Sequence, residues 1–296
     1  MRMTRVAATA AAAVLALTMA ACGDDSGTGS GSGTGSGSGT GSGSNATGVV
    51  AKAASGSLKV GVKADQPGLG LQTGTAYEGF DIEIAKIIAK GLGMQESGIQ
   101  YVTTVSANRE PYLQQGTVDL VVATYTINDE RKTKVNFAGP YFIAGQDLLV
   151  PTDSTITAPE QLAGKKVCSV TGSTPAKRIQ ETYKDAKLQL FDAYSKCITA
   201  LAGGQVDAVT TDDIILAGYA SQSQFAGKFK VVGKPFSEEP YGIGLAKADK
   251  AGCEKINEIL KAAATDGSYK AAWDKTLGKS GTAAPELDTS KLTNCA

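Results

Sequence analysis

Thr124, Thr126, Arg131 and Asp212 are the residues whose types and settings could do chemistry together. The stretch Val118-Asp-Leu-Val-Val-Ala-Thr-Tyr-Thr-Ile-Asn-Asp-Glu-Arg131 is an apolar run of the kind buried in a sheet. It ends in two small hydroxyl residues and then opens a helix with Arg131 in its first turn. Unpaired backbone N–H groups at a helix start, beside a guanidinium fork, make a site for a small carboxylate. The plainer reading is that Asn128 caps a helix and Arg131 is solvated. An echo in the second half of the chain shifts the balance. Gly116-Thr-Val-Asp-Leu-Val-Val-Ala-Thr124 is repeated as Gly204-Gln-Val-Asp-Ala-Val-Thr-Thr-Asp212, which puts a hydroxyl and a carboxylate at equivalent strand ends. Small ligands of α/β sheets sit beyond such ends. A hydroxyl, a carboxylate and a guanidinium across one cleft complement an ammonium and a carboxylate on one carbon, so the implied ligand is an α-amino acid.

The elements that must hold these residues are legible too. Each echo follows a short helix-like run, Glu110 to Gln115 and Cys197 to Ala202. A second pair of echoes, Lys59-Val-Gly-Val-Lys63 and Lys166-Val-Cys-Ser-Val170, reads as strands entering Gly- or Pro-containing turns. Phe80, Ile84, Ile87 and Ile88 make one helical face that Gly91 stops. Alternating strands and helices predict an α/β fold with mostly parallel sheets. The duplication predicts two similar lobes.

The N-terminal residues belong to neither lobe. Arg2 and Arg5 precede an apolar stretch, Val6 to Ala21, too short to span a membrane comfortably, which reads as a secretory signal in 1–22. Its end, Met19-Ala-Ala-Cys22, resembles the lipobox of bacterial lipoproteins, with Met where Leu is preferred, and implies a lipid on Cys22. Residues 23–56, dominated by Gly, Ser and Thr, read as a disordered tether to the outer face of the cytoplasmic membrane. Lys plus Arg and Asp plus Glu number 29 each, so no net field recruits nucleic acid. The chain has no histidine, which removes imidazole catalysis and His-ligated metals. Export makes disulfides the expected state of the four cysteines other than Cys22. Three pairings are possible; closeness in sequence favours Cys168 with Cys197 and Cys253 with Cys295. No CxxC spacing supports zinc, and neither metal nor cofactor is expected. Gly68-Leu-Gly-Leu-Gln-Thr-Gly74 lacks the spacing and following helix of a phosphate loop.

Thr126-Ile-Asn-Asp-Glu-Arg131 followed by Phe137-Ala-Gly-Pro-Tyr141 resembles the signature of family 3 solute-binding proteins of polar amino-acid ABC transporters. Tyr77-Glu-Gly-Phe-Asp-Ile-Glu-Ile-Ala85, Val206-Asp-Ala-Val-Thr-Thr-Asp-Asp213 and Tyr241-Gly-Ile-Gly extend the likeness over about Leu58 to Leu277. The resemblance implies a type II periplasmic-binding-protein-like fold, two α/β lobes joined by two hinge strands. The crossovers would fall near Tyr141 to Gln146 and Ser237 to Tyr241. Lobe one would comprise 57–142 and 241–296, and lobe two 143–240. It also implies that Arg131 grips the ligand's α-carboxylate with help from the N–H groups of Thr126 and of the Ser173-Thr174 turn. The α-ammonium would meet the Thr124 carbonyl, the Thr126 hydroxyl and Asp212. Helix capping is the competing role for Asp212, and the better one for Asp213. Ser106-Ala-Asn-Arg109 resembles a segment of glutamate/aspartate-binding members, and Lys63 falls where those members carry a cation. The expected ligand is therefore L-glutamate, ahead of aspartate, delivered by lobe closure to a membrane permease. An enzyme using Glu78 or Asp81 is the less favoured reading, since no nucleophile–base pair is apparent. A sensor reporting to a membrane receptor is the other alternative.

Overall fold

The computed structural model describes residues 48–280 and 283–295. The signal segment, Cys22 and the tether up to residue 47 lie outside the described residues. One boundary needs correcting: residues 48–56, assigned to the tether, include a helix, Gly48–Ala54. Its Val49 and Ala53 are buried, and the Val49 N–H donates to Asp249 at the start of the long helix Lys250–Asp266. Apolar side chains return to the sequence there, and they have a surface to cover. No helix among the described residues is long and apolar enough to cross a membrane.

Two five-stranded sheets carry the fold, and they share one plan. The first runs Ile99–Thr103, Leu58–Val62, Leu120–Val121, Glu239–Leu245, Asn136–Ala144. The second runs Lys187–Phe191, Lys166–Val170, Ala208–Asp212, Gln146–Pro151, Phe229–Val231. In each, the first three strands are parallel and the last two pair antiparallel. The echoes occupy matching places. Gly61 pairs with Val121 and Cys168 with Val209, so Thr124 and Asp212 fall at equivalent positions along the central strands.

The Val-Asp of each echo has the same job in both sheets. The Asp119 N–H donates to Lys59 O while its carboxylate accepts the Lys59 N–H at 2.8 Å. Asp207 repeats this with Lys166, its carboxylate accepting at 2.7 Å. An aspartate there satisfies a donor near the start of the neighbouring strand, which would otherwise lack a partner within the sheet.

Helices cover the sheets as the apolar spacing requires. Phe80–Gly91 ends at Gly91, and it buries Phe80, Ile84 and Ile88 completely. The Phe80 ring meets Tyr269 and Trp273 edge-on at 5.5 Å. Gly79 begins this helix at φ 119°, and a Cβ there would lie 2.2 Å from Leu69 O. Only glycine fits such an approach. The Gly68–Gly74 stretch, which superficially resembles a phosphate loop, lies in an antiparallel three-stranded sheet, Asp65–Gln66, Gly70–Thr73 and Ala76–Glu78.

The chain passes from the first sheet to the second at Gly145 and returns through residues 232–238. Asp213 serves this first crossing. It is the first residue of the helix Asp213–Ala220 rather than its cap, and its carboxylate accepts the Gly145 N–H at 3.3 Å. Both local disulfides form, Cys168–Cys197 and Cys253–Cys295. The second ties the tail to the long helix, beside Thr293, whose N–H and hydroxyl bond Gly139 O and Phe137 O.

Candidate ligand-binding cleft

Arg131 sits in the first turn of the helix Asp129–Lys134, whose start is capped by the Asn128 side chain accepting the Arg131 N–H at 2.9 Å. The capping reading of Asn128 therefore holds, but Arg131 is not solvated: it is only 6% exposed. Its guanidinium donates to Thr126 O at 2.7 Å and Gly172 O at 3.1 Å, and faces Glu110 at 3.3 Å. Gly172 belongs to the turn after the strand Lys166–Val170 of the other sheet, so Arg131 already reaches across.

Arg109 does the same from the helix Arg109–Gln114. It donates to Ser106 O, Ala123 O and Thr124 O, and to Gly172 O at 3.3 Å. The two guanidiniums lie 4.3 Å and 5.0 Å from the centre of the Tyr125 ring, whose electron-rich face offsets some of their mutual repulsion. Burial and the charge of Arg131 push Arg109 down to about 10. Lys63, buried at the end of Leu58–Val62, donates to the Ser106 hydroxyl at 2.8 Å. Burial, then Arg109, hold its ammonium well below the ordinary lysine value. No carboxylate pairs with Lys63 among the described residues. The three expected cations are thus gathered in one interior region.

Thr124 breaks the first sheet's central strand. At φ 45° it is the only non-glycine residue with positive φ among the described residues. Its N–H donates to Asp81 at 2.9 Å, and its hydroxyl, with one proton to give, lies 2.8 Å from Ala123 O and 3.2 Å from Gln66 Oε1. Asp81 also accepts the Tyr141 hydroxyl at 2.7 Å, and burial pushes it up to about 6. Both its oxygens are thus engaged by structural donors.

Asp212, 3% exposed, precedes the helix Asp213–Ala220 but makes no side-chain cap. One of its carboxylate oxygens accepts the Tyr241 hydroxyl at 2.6 Å; the other, Oδ1, has no partner. Burial and the charge of Glu239 push Asp212 up to about 7. Thr126 bridges backbone to Tyr241, so Arg131 bonds one member of this pair and Asp212 the other.

Two expected contacts differ in detail. The Ser173 N–H is taken by Val170 O, and its hydroxyl caps the helix Thr174–Thr182 through Ala176, so the Ser173 amide is not free for a ligand. The Thr126 hydroxyl meets the Thr174 hydroxyl at 3.3 Å, and Thr174 donates to Glu239 at 2.7 Å. Arg131, Ser173 and Thr174 line a hollow of about 710 Å³ that opens between the two sides. Lys63 and Tyr194 line a smaller one of about 120 Å³.

Gly172, Glu239 and Tyr241 escaped the sequence reading as site residues. Glu239 had a signal: a charged residue opening the run Glu239-Pro-Tyr-Gly-Ile-Gly-Leu245 must be paired when buried. Gly172 acts through its carbonyl, which no side-chain pattern announces.

Comparison with known proteins follows this geometry. A family model described as bacterial extracellular solute-binding proteins, family 3, matches residues 58–279. The glutamate-binding protein GluB of Corynebacterium efficiens is 38% identical over 289 residues, covering 93% of this chain and 92% of that protein. The ABC transporter glutamine-binding protein GlnH of Bacillus subtilis is 42% identical over 220 residues, 73% of this chain and 80% of its own. Among solved structures, an ancestral arginine-binding protein bound to glutamine aligns with a TM-score of 0.70 at 38% identity, covering 75% of this chain and 98% of the other.

Proposed function

The chain belongs to the bacterial extracellular solute-binding proteins, family 3, and from that premise we propose that it captures L-glutamate between two lobes and hands it to an ABC permease. In this reading lobe one is 57–142 with 241–296 and lobe two is 143–240. Arg131 takes the α-carboxylate, displacing the Gly172 carbonyl it now holds, with the Thr126 and Thr174 amides assisting. The α-ammonium fills the unpaired side of Asp212 and touches the Thr124 carbonyl and Thr126 hydroxyl. Ser173 contributes by fixing the turn.

The observation that carries the choice of glutamate is Lys63, a buried ammonium bonded to a hydroxyl, Ser106, with Arg109 beside it and, among the described residues, no carboxylate in ion-pair contact, Asp65 and Asp81 acting on it only from further off. A side-chain carboxylate would supply the missing charge; a neutral amide would leave it uncompensated, at a cost of a few kcal/mol, roughly. The names of the relatives, one glutamate-binding and one glutamine-binding, agree on the ligand's backbone and length and leave its terminal group to this region. Aspartate, one methylene shorter, should bind more weakly by about 1–3 kcal/mol. A lipid on Cys22 and the tether would keep the loaded protein at the membrane surface.

Titration calorimetry across the twenty amino acids tests this. Glutamate should bind tightest; glutamine or arginine far ahead of glutamate would overturn the acidic assignment while leaving the Arg131 and Asp212 roles standing.

A further inference from the structure

Gln66 is completely buried in the short strand Asp65–Gln66, and its side-chain Nε2 has no hydrogen-bond partner. Its Oε1 is 3.2 Å from the Thr124 hydroxyl. Exchanging the two ends of the amide would not remove the problem. The same hydroxyl would then meet Nε2, and Oε1 would be left bare. A buried amide with one end unpaired is costly, and native proteins retain few.

Gln66 lines neither hollow itself, but its neighbours belong to both sides of the molecule. Thr124, its partner, carries the carbonyl that Arg109 holds. Its chain neighbours touch the other side: Asp65 accepts the Ser195 N–H at 3.0 Å and the Tyr219 hydroxyl at 3.1 Å. Pro67 O lies so close to Gly218 that a Cβ there would be 2.4 Å away. Gly218 and Tyr219 belong to the helix that Asp212 precedes, and Asp212 Oδ1 is likewise unpaired. Two buried polar atoms, a donor on one side and an acceptor on the other, each wait for a partner that neither supplies to the other.

Resting on the glutamate reading above, we propose that Gln66 is a specificity-determining residue, its Nε2 donating to a terminal side-chain oxygen of the bound amino acid. Lys63 and Arg109 set the sign of the charge there, and an anionic oxygen accepts what the amide offers. Thr124 allows this orientation: its hydroxyl lies 3.2 Å from Oε1 and can donate there, leaving Nε2 to the ligand.

The test is calorimetry with L-glutamate and L-glutamine on the wild-type chain, Gln66→Glu and Gln66→Leu. Gln66→Glu keeps the shape and replaces the donor by an acceptor. It should weaken glutamate by at least about tenfold. Glutamine, whose amide can donate, should lose less, so the glutamate-to-glutamine preference falls by a similar factor. Gln66→Leu removes the unpaired group, so it should fold stably even if Gln66→Glu does not, and it too should lose preference for glutamate. Wild-type selectivity for glutamate that survives in a folded Gln66→Leu protein would overturn the role of Gln66 and leave the ligand assignment intact. A wild-type chain with no glutamate binding would overturn the ligand assignment, and this inference with it.

Discussion

The two central strands are copies in sequence and in register, yet they end differently. The second stays regular through Asp212, paired with Gln146 to its last residue. The first leaves regular geometry after Val122, turning left-handed at Thr124. The second side therefore offers the cleft a side chain, Asp212, with one oxygen spare. The first side offers backbone groups and two guanidiniums that are already engaged. One half of a duplicated frame presents a spare carboxylate oxygen, the other guanidiniums that are already held. In the proposed binding mode a ligand competes with Gly172 O for the arginines and meets Asp212 Oδ1 unopposed.

Removing the holding side should cost most. Arg131→Ala loses the fork and leaves a bound carboxylate without its partner, and affinity for glutamate should fall by roughly 3–5 kcal/mol, read by calorimetry. Circular dichroism should show the fold retained. An unchanged affinity would break the contrast between the two sides.

Asp212 comes next, and pH exposes it. Its carboxyl is pushed up to about 7, chiefly by burial. A raised carboxyl favours the protonated folded state, so its contribution to stability is full at acid pH and lost as pH rises through about 7. Ligand binding runs the opposite way, because the ammonium needs the ionised form. Affinity should therefore weaken as pH drops from about 8 to 6, with proton release on binding near neutrality. Asp212→Asn should weaken binding and flatten that profile. A wild-type profile flat across the same range would show that Asp212 does not meet the ammonium.

Gly172 ties the sides together and should show an intermediate effect. At φ 79° with a would-be Cβ 2.7 Å from Ala107 Cα, Gly172→Ala conflicts both with its own backbone and with the opposing turn. The left-handed strain alone is about 1–2 kcal/mol. The variant should be more open in small-angle scattering and bind several-fold more weakly. A variant as closed as the parent would mean that this contact does not set closure.

The rim should matter least. Lys177 and Glu130 pair across the mouth, but both are about half exposed. Glu130→Gln should change stability and affinity by less than about 1 kcal/mol. A larger loss would move part of the holding function out of the interior.

Much of this frame could be read from the chain. The echoes predicted equivalent strand positions, and their Asp119 and Asp207 do equivalent work, because a repeated local pattern carries repeated local hydrogen bonds. Arg131 and Asp212 drew attention through their strand-end settings and Lys63 and Arg109 through the family resemblance, while the buried Glu239 did not stand out. The contributions of Gly172 and Gln66 were not, because they depend on contacts between segments far apart in sequence. The Ser173 amide was misjudged for a related reason: a helix start advertises free N–H groups, but the preceding turn had already used this one. The helix Gly48–Ala54 was hidden by the Gly/Ser composition just before it.

A crystal structure of the chain grown with L-glutamate tests the central claim most directly. The α-carboxylate should lie on the Arg131 guanidinium in place of Gly172 O, and the α-ammonium within about 3 Å of Asp212 Oδ1. Glutamate bound with its ammonium away from Asp212, or with Arg131 still closed on Gly172, would contradict it.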